Sequence, residues 1–120
     1  KKYYFIDNGI LNLFLTDPNT SLLENMVAIN LYKQYGDDVA FFNSNIEVDF
    51  YVPNQKIAIQ VSYSLKDEDT KKREVRALDK ISSFVDVERR YIITMYEEEI
   101  IEMDGHTIHV VPLLKWLLKN

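Results

Sequence analysis

Between Glu47 and Ser62 the chain reads EVDFYVPNQKIAIQVS, two runs of alternating apolarity on either side of a Pro-Asn turn. A period of two makes each run a strand, and so short a connection makes the pair a hairpin. The first run sets Val48, Phe50 and Val52 on one face and Glu47, Asp49 and Tyr51 on the other. The second, from Lys56 to Leu65, sends Ile57, Ile59, Val61 and Tyr63 one way and Ala58, Gln60, Ser62 and Ser64 the other. The polar members constrain the fold most. Asp is disfavoured within strands, so Asp49, Gln60 and Ser62 must either converge on a shared hollow or form a row facing solvent.

The flanking sequence supplies the helices such a hairpin needs. DPNTSLLENMVAINLYKQYGDD repeats apolar residues at helical spacing, with Leu23, Val27 and Leu31 in line and Met26 beside them. Ser21 followed by Glu24 has capping-box spacing, which predicts a helix start there, and Gly36 predicts its end. VAFFNS reads as a short strand before the hairpin. KDEDTKKREVRALDKISSFVDVE reads as a second helix, capped near Asp69 or Thr70, with Val75, Leu78, Ile81 and Val85 as its apolar stripe. RYIITMY is a buried strand, IIEMDGHTIHVVP a hairpin turning at Asp104-Gly105, and LLKWLLKN a short amphipathic helix. The expected order is helix, three strands, helix, one or two strands, helix. Ahead of it, YYFIDNGILNLFL predicts a short strand, a turn at Asp7-Asn8-Gly9 and a brief helix.

Composition excludes several functions. The 120 residues include no Cys, which rules out disulfides and thiolate metal sites and fits a reducing cytoplasm. No stretch is long and uncharged enough to cross a bilayer, so no membrane partner is expected. The net charge of −5 has the wrong sign for holding nucleic acid by broad electrostatics. Basic residues do cluster at Lys71–Arg76, however, and Lys72, Arg73 and Arg76 are the candidate nucleic-acid contacts, although a solvated helix face explains them as well. His106 and His109 fall on opposite faces of one strand and make a poor metal pair. Tyr63 and Trp116 read as packing. Neither a Ser/His/Asp constellation nor a Gly-rich phosphate loop is present.

The hairpin with the preceding helix resembles the PD-(D/E)XK nuclease core. In that family an Asp opening the second strand and an acid on the third bind a divalent metal, a Lys two positions later activates water, and a Glu from the first helix assists. Asp49 matches the Asp and Glu24 the helix Glu, while Gln60-Val61-Ser62 stands where an active site would read Glu-x-Lys. The resemblance therefore implies Glu24, Asp49 and Gln60 as ligands for Mg²⁺ or Mn²⁺, and Asp49, Gln60 and Ser62 as a degenerate catalytic set. Hard cations want oxygen ligands, so Gln60 in place of a carboxylate weakens the site, and Ser62 removes the cation beside the nucleophile. Loss of a comparable electrostatic partner costs on the order of 10²–10³ in rate, which argues against efficient cleavage. Lys56, Lys66 or Lys80 could stand in for the missing lysine.

A second resemblance covers nearly the whole chain. KKYYFIDNGILNLF, LLENMVAINLY, EVDFYV, IAIQVSYSL, KREVRALDKI, YIITMYEEE and VVPLLKWLL are similar, in that order, to the C-terminal domain of unknown function of prokaryotic AAA-type ATPases. It implies residues 1–18 as a connection from an upstream ATPase portion and residues 19–120 as the nuclease-like domain. The fold expected is α/β, a restriction-endonuclease-like core with a mixed central sheet flanked by helices. The expected function is that of an accessory domain binding DNA, another nucleic acid or its own ATPase module in cis. An active metal-dependent DNase and a purely structural interaction domain are the rival readings.

Overall fold

The computed structural model describes residues 20–119. The strand, turn and helix expected in YYFIDNGILNLFL, and the connection assigned to residues 1–18, lie outside the described residues. The described chain runs α1 (Thr20–Tyr35), β1 (Ala40–Asn43), β2 (Glu47–Val52), β3 (Ile57–Val61), α2 (Glu68–Lys80), β4 (Arg89–Thr94), β5 (Glu99–Met103), β6 (His106–Pro112) and α3 (Leu113–Lys119). Three strands, not one or two, separate α2 from α3. The six form one mixed sheet in the order β1-β2-β3-β4-β6-β5. β1, β2 and β3 pair antiparallel, β3–β4 and β4–β6 are parallel, and β5 runs antiparallel to β6. The fold is thus α/β, with three helices flanking the sheet.

Each face of the sheet buries its own core. On one, Leu23, Val27 and Leu31 of α1 and Leu113 and Trp116 of α3 pack on Ile57, Ile59, Val61, Tyr91 and Ile93. Trp116 also donates its indole N–H to Asn30 Oδ1 at 3.2 Å, tying α3 to α1. On the other face Val75, Leu78 and Ile81 cover Ala58, Ile92, Ile108 and Val110. β3 and β4 are buried on both faces, as strands with helices above and below must be. Arg90 is buried beneath the end of α2, where it donates to Leu78 O at 3.0 Å and to Ser82 Oγ. It satisfies carbonyl and hydroxyl groups that would otherwise lack partners at a helix terminus.

Local chemistry sets most boundaries. Gly36, at φ +59, ends α1 in the left-handed conformation that glycine adopts without steric cost. Asp104 and Gly105, at φ +50 and +80, form the tight turn between β5 and β6. Two helix starts differ from expectation. α2 is capped by Asp67, whose carboxylate accepts from Thr70 N–H at 3.2 Å, two residues ahead of the expected Asp69. α1 begins at Thr20, so Ser21 lies inside the first turn, and Glu24 lines a hollow with Asp49. The Ser21–Glu24 spacing is helical in either case, and tertiary contact decides where the carboxylate goes.

β2 does not alternate as simply as its sequence. Ala40 pairs with Tyr51 and Phe42 with Val48, so two steps along β1 match three along β2. The extra residue, a bulge at Asp49-Phe50, rotates Val48 to the α2 face with Tyr51 and leaves Phe50 and Val52 on the α1 face. The expected grouping of Val48 with Phe50 and Val52 is corrected by this bulge. β3 ends at Val61, short of the expected Leu65, although Tyr63 and Leu65 still pack against the two cores.

Candidate functional site

The backbone ladder between β2 and β3 runs from Val52–Ile57 to Phe50–Ile59 and stops there. Continuing the register would set Asp49 opposite Gln60, and from this point side chains replace the main-chain bonds. Gln60 Oε1 accepts from Asp49 N–H at 2.9 Å, and Gln60 Nε2 donates to Glu47 O at 3.0 Å. Asp49 Oδ2 in turn accepts from Val61 N–H at 2.7 Å. The strands fork, and Glu47 O, Asp49 N–H and Val61 N–H each find a polar side chain. Gln60 and Ser62 are 2% and 5% exposed, so the alternative of a solvent-facing row is overturned.

Three elements bring carboxylates to this fork. Glu24, from α1, lines a hollow with Asp49 and stands close enough to raise its pKa. Burial is the main force pushing Asp49 up to about 7; the Val61 amide opposes it, and Glu24 and Glu74 reinforce it. Glu74, from α2, is also raised to about 7, first by burial, with Arg73 opposing and Glu24 and Glu47 adding to it. Arg73 is a counter-ion only in part, 3.8 Å from Glu74 and largely in solvent. The cluster therefore concentrates acid in a poorly hydrated place.

Two hollows meet at Asp49. One, of about 420 Å³, is lined by Glu24, Phe41 and Phe42 as well as Asp49. The other, a groove of about 980 Å³, runs between the fork and α2 and is lined by Asp49, Gln60, Glu74, Lys72, Arg73 and Arg76, with Lys80 and Phe84 farther along. The structure thus brings the basic residues singled out in the sequence to the same groove as Asp49 and Gln60, and sets Glu24 on the other side of Asp49.

The remaining candidates divide. Ser62 donates its hydroxyl to Ser64 O at 2.9 Å, and its backbone N–H goes to Ile93 O, so it is engaged by its own loop. Of the three possible replacement lysines, Lys80 lines the groove. Lys56 lies with Asp86 and Glu88, at 3.9 and 3.8 Å, and Lys66 lines neither hollow. His106 meets Asp79 at 2.9 Å on the α2 side, while the ring of His109 lies 5.8 Å from that of Tyr91 on the other face. Glu74 was missed in the sequence. The available signal was its place on the apolar stripe of α2, one helical turn before Leu78 and two before Ile81.

The fit to a divalent cation rests on the donors. Gln60 Oε1 is committed to the Asp49 amide, which leaves the carboxylates of Glu24 and Asp49 as hard ligands. Among the described residues no group of three or more His, Asp or Glu is placed to hold a metal ion. Two carboxylates would hold Mg²⁺ only where waters and substrate phosphates complete the shell. No helix among the described residues is long and apolar enough to cross a membrane. Comparison of the chain with models of known families, with curated proteins and with solved structures finds no match.

Proposed function

We propose that residues 19–120 form a degenerate nuclease-like domain that binds nucleic acid and lacks efficient cleavage, the C-terminal accessory domain of a prokaryotic AAA-type ATPase. One observation carries the reading: Asp49, with Glu24 on its far side, lines together with Glu74 a groove whose α2 wall presents Lys72, Arg73, Arg76 and Lys80. Cations along a groove that ends on a carboxylate pair suit a phosphate backbone approaching a hard-cation site. A restriction-endonuclease-like core is supported by the order of the polar residues, Glu from the first helix, Asp from the second strand and Gln from the third, within a mixed sheet flanked by helices. The link to an ATPase rests on the sequence resemblance alone.

The residues divide the work. Lys72, Arg73 and Arg76 neutralise phosphate, while the fork holds Asp49 in place through Val61 N–H. A bound Mg²⁺ or Mn²⁺ would neutralise charge at a phosphate oxygen. Gln60 holds β2 rather than a ligand, and Ser62 offers no ammonium to a nucleophile. Losing such an electrostatic partner lowers rate by on the order of 10²–10³.

Fluorescence anisotropy with labelled DNA, with and without Mn²⁺, tests the reading. Binding that weakens steeply with salt, is reduced by the Arg73→Ala, Arg76→Ala double variant and yields no cleaved product supports it. Metal-dependent cutting that Asp49→Ala abolishes in a folded protein would transfer the conclusion to the DNase reading. Absence of binding under every condition refutes a nucleic-acid role.

A further inference from the structure

The groove beside Asp49 has features that its carboxylates do not use. On α2 and its continuation, Lys72, Arg76, Lys80 and Phe84 recur at every fourth position, and all four line the groove. The helical rise spreads the three cations over roughly 12 Å. All three are exposed, and none forms an ion pair among the described residues. Where this row ends, Phe84 is 46% exposed with its ring 5.3 Å from that of Phe42, so a large aromatic surface faces water beside the charges. The opposite lip carries Asn43 and Asn45, whose amides offer both donors and acceptors. Asn45 sits at φ +68 in the turn before β2.

Cations in a row, an uncovered aromatic ring at their end and amides across the gap together select among nucleic acids. In a duplex the base faces are stacked on one another and unavailable to Phe84. An unpaired base presents its π-face to a ring and its edges to Asn amides, while its backbone follows the positive wall. The acids on the groove floor repel phosphate and hold it at the α2 rim, leaving the bases to turn inward. We propose, building on the nucleic-acid reading above, that this groove is a single-strand site, with Phe84 as a stacking platform and Lys72, Arg76 and Lys80 as the phosphate track. DNA and RNA share this chemistry.

The test compares oligo-dT, oligo-U and a duplex of equal length on the full 120-residue chain by anisotropy across a salt series. A single strand should bind at least about tenfold tighter than the duplex. Phe84→Ala should weaken single-strand binding about tenfold, the effect of losing one base-aromatic stack, with the salt slope unchanged. Arg76→Ala should instead lower that slope by about 0.7. A Phe84→Trp variant gives a second readout: its fluorescence should be quenched by oligo-dT, whereas that of the parent, whose Trp116 is buried, should not. The relative affinities of oligo-dT and oligo-U identify the sugar preferred. Equal or tighter duplex binding that ignores Phe84, or unquenched fluorescence from the Phe84→Trp variant, overturns the single-strand site and leaves the broader nucleic-acid reading intact. Failure of every oligonucleotide to bind overturns both.

Discussion

Gln60 takes the position where the nuclease resemblance expects an acid, and its amide suits the place better than a carboxylate would. Its Oε1 accepts from Asp49 N–H and its Nε2 donates to Glu47 O, so it needs one donor and one acceptor at once. Gln60→Glu would set a carboxylate oxygen against the Glu47 carbonyl and add charge beside Asp49 and Glu74. Gln60→Leu would leave both backbone groups unpaired, at about 1–3 kcal/mol each. Urea unfolding should show a lower midpoint with an unchanged slope for the leucine variant. An unchanged midpoint would mean that the fork does not depend on the amide. The sequence showed that polar residues interrupt a buried sheet, because alternation fixes which positions face inward. It did not show that they bond to backbone, since that depends on the β2 bulge. Glu24 was open to two readings for a related reason: its spacing from Ser21 fits a local cap as well as a site beside Asp49, and only the approach of β2 brings it to that hollow.

Among elements, the two hairpins were legible because their turns are fixed by adjacent residues. At Asp104-Gly105 both residues have positive φ, and a Cβ on Gly105 would meet nothing within 4 Å. The penalty for Gly105→Ala is therefore conformational, about 1–2 kcal/mol, and should appear as a lower melting temperature with β5 and β6 still paired. No change in melting temperature would show that the turn relaxes to another type. Helix starts were less legible. Asp67, Asp69 and Thr70 are all plausible caps on chemistry alone, and in the fold Asp67 accepts from Thr70 N–H. The bulge in β2 left no compositional trace, having neither Gly nor Pro. It shifts Val48 to the other face all the same.

For the whole molecule, the buried acids make stability depend on pH. Asp49 and Glu74 rise from their ordinary 3.8 and 4.5 to about 7 in the folded state. Between roughly pH 4 and 7 the native chain holds protons that the unfolded chain has released, so stability falls as pH rises through this window and levels off above it. Asp49→Asn should flatten the fall and raise the melting temperature at pH 8. Mn²⁺, competing with those protons, should stabilise the parent at pH 8 and have little effect at pH 5. Thermal melts across pH, with and without metal, check both. A pH-independent melting temperature would show that the acids are solvated.

The fork in the sheet has one more consequence. Because its own amide and carboxylate span the strands where they part, the cradle beside Asp49 is held in shape by the protein's own hydrogen bonds. A visitor finds a preorganised seat and spends little of its binding energy on rearrangement, so bare and loaded forms should superpose along β2 and β3.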